Sequence, residues 1–94
     1  MKEGAPLPPD EKRKSPRFRA SGPAHLLSAQ PVPREITGFL VDRSEKGFRL
    51  THHDPDLMAG EKVKFTIDDS TGVALVVWRR ILQQHIECGF MIEQ

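Results

Sequence analysis

Two short clusters of polar residues carry side chains that can hold an anionic or planar group. The first is an Arg-x-x-x-Arg pair, Arg13 and Arg17. The second is an Asp-x-Ser-x-x-Gly run built on Asp42, Ser44 and Gly47. Arginine offers a planar fork of donors that pairs with phosphate oxygens, and it also stacks on flat rings. These residue types indicate a site that holds a ligand and does not cleave it.

Each residue of the second cluster has a distinct chemical use. The carboxylate of Asp42 is an acceptor for paired donors, and the hydroxyl of Ser44 donates or accepts at short range. Gly47 permits either a positive φ or a close approach of backbone. The alternative is an ordinary turn in which Asp42 and Ser44 cap backbone N–H groups, with Arg13 and Arg17 forming a solvated basic tail.

The elements that must position these clusters are short β-strands. Six segments show period-two alternation or a high content of apolar and β-branched residues, and no long segment has a 3.6-residue period. The predicted strands are Ala24–Ser28, Glu35–Asp42, Phe48–Leu50, Val63–Ile67, Val73–Leu82 and Ile86–Ile92. Residues 68–72 are predicted to form a hairpin turn. We therefore predict an all-β fold, a small antiparallel β-barrel of about six strands.

The N-terminal part of the chain has a different composition. Residues 1–23 are polar and contain five prolines, so they have little apolar surface to repay the entropy of ordering. Pro16 also argues against a helix around Arg13 and Arg17. We predict a flexible N-terminal arm over residues 1–23 and a barrel over residues 24–94.

Composition excludes several classes of protein. The chain has 94 residues, enough for one compact domain, with 14 basic and 13 acidic side chains. This balance argues against a polybasic nucleic-acid binder, and an aromatic content of 6% without tyrosine gives little support to a single-strand-binding barrel. A single cysteine predicts a cytoplasmic protein, and no apolar run is long enough to span a membrane.

The histidines and the cysteine give only a weak indication of metal binding. His52, His53, His85 and Cys88 are the candidate ligands, but an i, i+3 pair such as His85 and Cys88 points to opposite faces of a strand. We therefore predict no metal site and no cofactor. Cys88 alternates with apolar residues and is predicted to be a buried, inert thiol. Trp78 is predicted to lie in the core.

The two clusters, taken in order, resemble the paired signatures of PilZ domains, Arg-x-x-x-Arg followed by Asp/Asn-x-Ser-x-x-Gly. Further segments are similar to the family: 48–50, Gly60 ahead of the next strand, 76–80, and 89–90 in the last strand. The resemblance extends from Arg13 to Phe90. It implies a bacterial, non-enzymatic module that binds cyclic di-GMP through Arg13, Arg17, Asp42, Ser44 and Gly47 and relays the ligand state to a downstream protein partner.

The chemistry of this implied ligand suits the two clusters. Guanine presents O6 and N7 acceptors to an arginine fork, and its N1–H and N2–H₂ donors call for an acceptor such as Asp42. The arm with Arg13 and Arg17 is expected to be mobile without ligand and to fold over it when bound. The alternative is an interaction module of the same fold that does not need nucleotide.

Overall fold

A computed structural model describes residues 18–29 and 32–93, and these residues form seven β-strands and no helix. The strands are β1 (Phe18–Arg19), β2 (Pro23–Ser28), β3 (Arg34–Arg43), β4 (Gly47–His52), β5 (Lys62–Ile67), β6 (Ser70–Ile81) and β7 (Ile86–Ile92). The prediction of an all-β chain is confirmed.

Six of the strands close into an antiparallel barrel. Their order around the barrel is β3-β2-β5-β6-β7-β4, and β4 pairs with β3 to complete the circle. Closure leaves β2 to β7 without an open sheet edge along most of their length. The predicted six-stranded barrel is therefore confirmed, with β1 as one additional strand.

Strand β1 lies within the segment that was expected to be a flexible arm. Phe18–Arg19 pairs with the end of β3, and the backbone N–H of Ala20 donates to the carbonyl of Val41 at 3.3 Å. Pro23 is already the first residue of β2. The sheet therefore begins earlier than residue 24. The sequence did not indicate this, because backbone pairing does not depend on the composition of the segment. Residues 1–17 lie outside the described residues.

The hairpin between β5 and β6 is tighter than predicted. Ile67 pairs with Ser70, so Asp68 and Asp69 alone form the turn, whereas the sequence indicated a loop over residues 68–72. Asp68 takes a positive φ of 51°, a conformation that aspartate tolerates better than most side chains. The short turn extends the pairing of β5 and β6 and makes β6 the longest strand.

The core follows the alternation of apolar side chains along the strands. In β4 and β5 the apolar positions are buried and the intervening polar ones are half-buried or exposed. Phe48 lies at its centre, stacked on Phe90 with ring centroids 4.7 Å apart and edge-on to Phe65 at 5.2 Å. This packed interior is the support on which the hairpin between β3 and β4 is held.

Candidate ligand-binding site

The hairpin between β3 and β4 contains Ser44 and Gly47. The backbone N–H of Ser44 donates to the carbonyl of Gly47 at 2.8 Å, and the backbone N–H of Lys46 donates to Ser44 Oγ at 3.3 Å. Ser44 is buried, and its hydroxyl also lies 3.5 Å from the Gly47 carbonyl as a donor. The hydroxyl therefore stabilises the turn, as the ordinary-turn alternative expected, and its role toward a ligand stays a prediction.

Gly47 is required by a close approach of backbone and not by a positive φ. Among the described residues, the glycines with positive φ are Gly22 and Gly60. A Cβ placed on Gly47 would overlap the carbonyl oxygen of Phe90 in the neighbouring strand β7. The backbone N–H of Ile92 donates to the Lys46 carbonyl at 2.8 Å, which fixes the turn to the same strand. Strand β7 of the barrel therefore leaves no space for a side chain at Gly47, whether or not a ligand is bound.

Asp42 is turned toward the outer face of the barrel by a β-bulge. The pairing of β3 with β4 shifts between Leu40 and Asp42, so that Leu40 lies opposite Leu50 and Asp42 lies opposite Arg49. Leu40 and Leu50 are in the core, whereas Arg49 alternates with core residues and faces outward. Residues directly opposite in an antiparallel pair share a face, so Asp42 lies beside Arg49 on the outside.

Arg49 is a partner that strand β4 supplies to Asp42. Its Nε donates to Asp42 Oδ2 at 2.8 Å, and its Nη2 contacts the same oxygen. The Asp42 side chain is fully buried, while 25% of the Arg49 side chain is exposed. The hydrogen bond to Asp42 raises the pKa of Arg49, with burial opposing it. A buried carboxylate needs such a partner, because an unpaired buried charge is costly.

The ion pair continues across the next two strands. Arg49 Nη1 lies 3.9 Å from Glu87 Oε2 in β7, and Arg80 Nη2 in β6 lies 2.6 Å from Glu87 Oε1. We call Asp42, Arg49, Glu87 and Arg80 the outer ionic row. Sequence reasoning identified only Asp42 among them. The alternation of Phe48, Arg49 and Leu50 does place Arg49 outside, but its partners become visible only in the sheet register.

Trp78 corrects another prediction, because it does not belong to the buried core. It is half-buried on the outer face, opposite Gly89, with the Arg80 guanidinium 6.0 Å from its ring centroid. The pairing of β6 with β7 shifts between Val76 and Trp78, and this bulge turns the indole outward. A Cβ on Gly89 would overlap the indole, so glycine provides the space in which the ring lies on the sheet.

Three of the five predicted site residues are therefore placed along one hairpin. Asp42 is the penultimate residue of β3, opposite Arg49, and Ser44 and Gly47 close the turn. Arg13 and Arg17 lie outside the described residues, as does the predicted closing of the arm over the ligand. Ligand contact by all five residues stays a prediction.

Among the residues considered for metal binding, Cys88 is paired with His52 and not with His85. His52 Nε2 lies 3.1 Å from Cys88 Sγ, and both side chains are buried. The predicted burial of Cys88 is confirmed, and burial raises the pKa of its thiol to about 11. No group of three or more His, Cys, Asp or Glu side chains in the described part of the chain could hold a metal ion.

His52 is expected to make the stability of the barrel sensitive to mild acid. Burial lowers the pKa of His52 from 6.5, the nearby charges of Arg79 and His53 lower it further, and that of Asp54 opposes them. His52 Nδ1 accepts the backbone N–H of Asp54 at 3.0 Å, so a second ring proton has no acceptor there. The unfolded chain binds this proton more readily, so the free energy of unfolding should fall as the pH drops below about 6.5.

Urea unfolding between pH 7.5 and 5 measures this effect. His52→Leu should flatten the acid dependence over that range, whatever its own stability, whereas His53→Gln, a change at an exposed histidine, should leave it intact. Asp54 has a lowered pKa and titrates below this window. An unchanged slope in His52→Leu would show that another group is responsible.

The fold and the site together define a small closed barrel with a polar hairpin and an ionic row on its outer face. A family comparison matches residues 11–94 to the PilZ domain, so the chain belongs to the PilZ domain family. Members of this family are binding and regulatory modules, known for binding cyclic di-GMP. A comparison with curated proteins finds no match. In the described residues there is no helix that could cross a membrane.

Proposed function

We propose that this chain is a bacterial, cytoplasmic receptor module that binds cyclic di-GMP and relays the ligand state to a partner protein. The observation that carries the proposal is the β3–β4 hairpin, in which Arg49 holds the buried Asp42 carboxylate and Ser44 and Gly47 close the adjoining turn. The family match supplies the ligand class, since PilZ domains are known for binding this nucleotide.

Each predicted site residue has a role in this proposal. Arg13 and Arg17 supply guanidinium groups to the phosphates and to the O6/N7 edge of guanine. Asp42 accepts the N1–H and N2–H₂ donors of guanine, and Ser44 and Gly47 shape the turn against which the ligand rests. In this proposal the barrel supplies Asp42, Ser44 and Gly47, and the segment before it supplies two arginines whose positive charges favour a ligand with two phosphates.

The proposed role is binding without turnover. Ser44 is engaged with backbone groups of its own turn, and a nucleophile requires an adjacent base to activate it. Incubation of the purified protein with cyclic di-GMP should therefore yield no linear product by chromatography. Product formation in proportion to protein concentration would contradict this part of the proposal.

Isothermal titration calorimetry at low salt tests the proposed function directly. We expect cyclic di-GMP to bind with a dissociation constant of tens of micromolar or tighter, about 6 kcal/mol or more in free energy. GMP and ATP serve as controls for general nucleotide binding and should bind more weakly. The affinity should fall with added salt because phosphate pairing is screened. If cyclic di-GMP gives no binding, the interaction module that does not need nucleotide becomes the better account.

A further inference from the structure

The outer ionic row raises the question of what Arg49 does for Asp42. The β-bulge after Leu40 places the two residues directly opposite each other, and two nitrogens of one guanidinium contact the same oxygen, Oδ2. Two donors on one oxygen hold Oδ2 in place and so limit the movement of the carboxylate. Asp42 is therefore positioned by a neighbouring strand as well as by its own.

Arg49 is itself held from the other side. Glu87 lies 3.9 Å from Arg49 Nη1, and Glu87 is bound to Arg80 through both Nε at 2.7 Å and Nη2 at 2.6 Å. The guanidinium of Arg49 thus lies between two carboxylates on strands β3 and β7, and its charge is shared between them. This arrangement fixes a long, flexible side chain in one place, which an isolated surface arginine would not achieve.

A reader of the guanine donor edge needs such support. Two adjacent N–H donors require an ionised acceptor whose plane lies in the plane of the base, and misalignment weakens both hydrogen bonds. A neighbouring cation keeps a carboxylate charged, because it favours the ionised form. Lysine at this position would supply the charge but not the planar fork.

We propose that Arg49 is a positioning residue for guanine recognition, acting through Asp42 and held in place by Glu87 and Arg80. The inference rests on the proposed function, since it assigns to Arg49 a role in the same site. It distinguishes Arg49 from a residue that only adds positive charge. An arginine that only attracts the phosphates would serve any cyclic dinucleotide equally, whereas an arginine that orients Asp42 serves guanine in particular.

The test compares cyclic di-GMP with cyclic di-AMP, which has the same two phosphates but lacks the N1–H and N2–H₂ donors of guanine. Binding of both nucleotides is measured by calorimetry for the unmodified protein and for Arg49→Met, Arg49→Lys and Lys62→Met. Lys62→Met is the matched control, because Lys62 is an exposed cation on β5 whose partner is Glu93, outside the outer ionic row. Thermal melting of every variant establishes that the protein measured is folded.

Arg49→Met should weaken cyclic di-GMP binding about tenfold or more, because Asp42 loses a charge-assisted hydrogen-bond partner. It should reduce the preference for cyclic di-GMP over cyclic di-AMP by a similar factor. Arg49→Lys, which retains the charge and so favours folding, should lose several-fold in the same preference. Lys62→Met should change both affinities by less than about twofold.

The outcomes separate the inference from the function on which it rests. If the unmodified protein does not bind cyclic di-GMP, the proposed function fails. If it binds, but folded Arg49→Met and Arg49→Lys keep the full preference for guanine, the positioning role is wrong. Equal losses for both nucleotides in Arg49→Met would show a contribution of charge alone and would also overturn it.

Discussion

Replacement of Arg13 or Arg17 by alanine is expected to weaken cyclic di-GMP binding by about 30-fold or more, corresponding to about 2 kcal/mol. Each substitution removes a planar fork of donors that the proposed site directs at phosphate or guanine acceptors, and the ligand groups left unpaired lose charge-assisted hydrogen bonds. Calorimetric titration of the folded variants measures the loss.

Lys14→Ala is the matched control for this prediction, because Lys14 lies between the two arginines and its loss removes the same charge. Lys14→Ala should weaken binding only slightly. The difference in affinity between Lys14→Ala and the unmodified protein should shrink at higher salt, because salt screens the charge of Lys14. The melting temperatures of all three variants should stay close to that of the unmodified protein, since residues 1–17 are polar and proline-rich. If Lys14→Ala costs as much affinity as the arginine variants, the cluster acts through general charge and the paired-arginine hypothesis fails.

Gly47→Ala is expected to destabilise the barrel by about 3 kcal/mol, the upper part of the range for overpacked positions. The added Cβ would overlap the Phe90 carbonyl, which belongs to the backbone of β7 and has no rotamer into which it could move. Gly47 is paired with Met91, and Lys46 accepts a hydrogen bond from Ile92, so the strands cannot separate without losing these contacts. Chemical denaturation followed by tryptophan fluorescence measures the change.

Gly60→Ala provides the comparison at a second glycine. Nothing lies within 4 Å of a Cβ at Gly60, but its φ is +96°, so the cost there is conformational and about 1 kcal/mol. The larger loss should therefore occur at Gly47, where φ is not positive. Equal losses at the two positions would mean that β4 and β7 move apart easily, contrary to the geometry described above.

The sequence predicted the fold well where the signal was local. Period-two alternation, or a high content of apolar and β-branched residues, identified β2 to β7 to within a few residues, because burial of one or both faces of a strand imposes these patterns on neighbouring positions. The same local logic placed Asp42, Ser44 and Gly47 at the junction of two strands. It failed for β1, whose two residues gain their conformation from hydrogen bonds to β3 and not from their own side chains.

The site divides in the same way between sequence and tertiary structure. The residue types and spacing of the two clusters were sufficient to indicate the PilZ family and its ligand chemistry, which depend on which side chains are present and in what order. Sequence could not show the bulge that turns Asp42 outward, the strand that leaves no space for a side chain at Gly47, or the position of Arg49 between Asp42 and Glu87. The bulge depends on the register between the consecutive strands β3 and β4, and the other two features depend on the pairing of β4 with β7, a strand distant in the chain that only the folded barrel brings alongside.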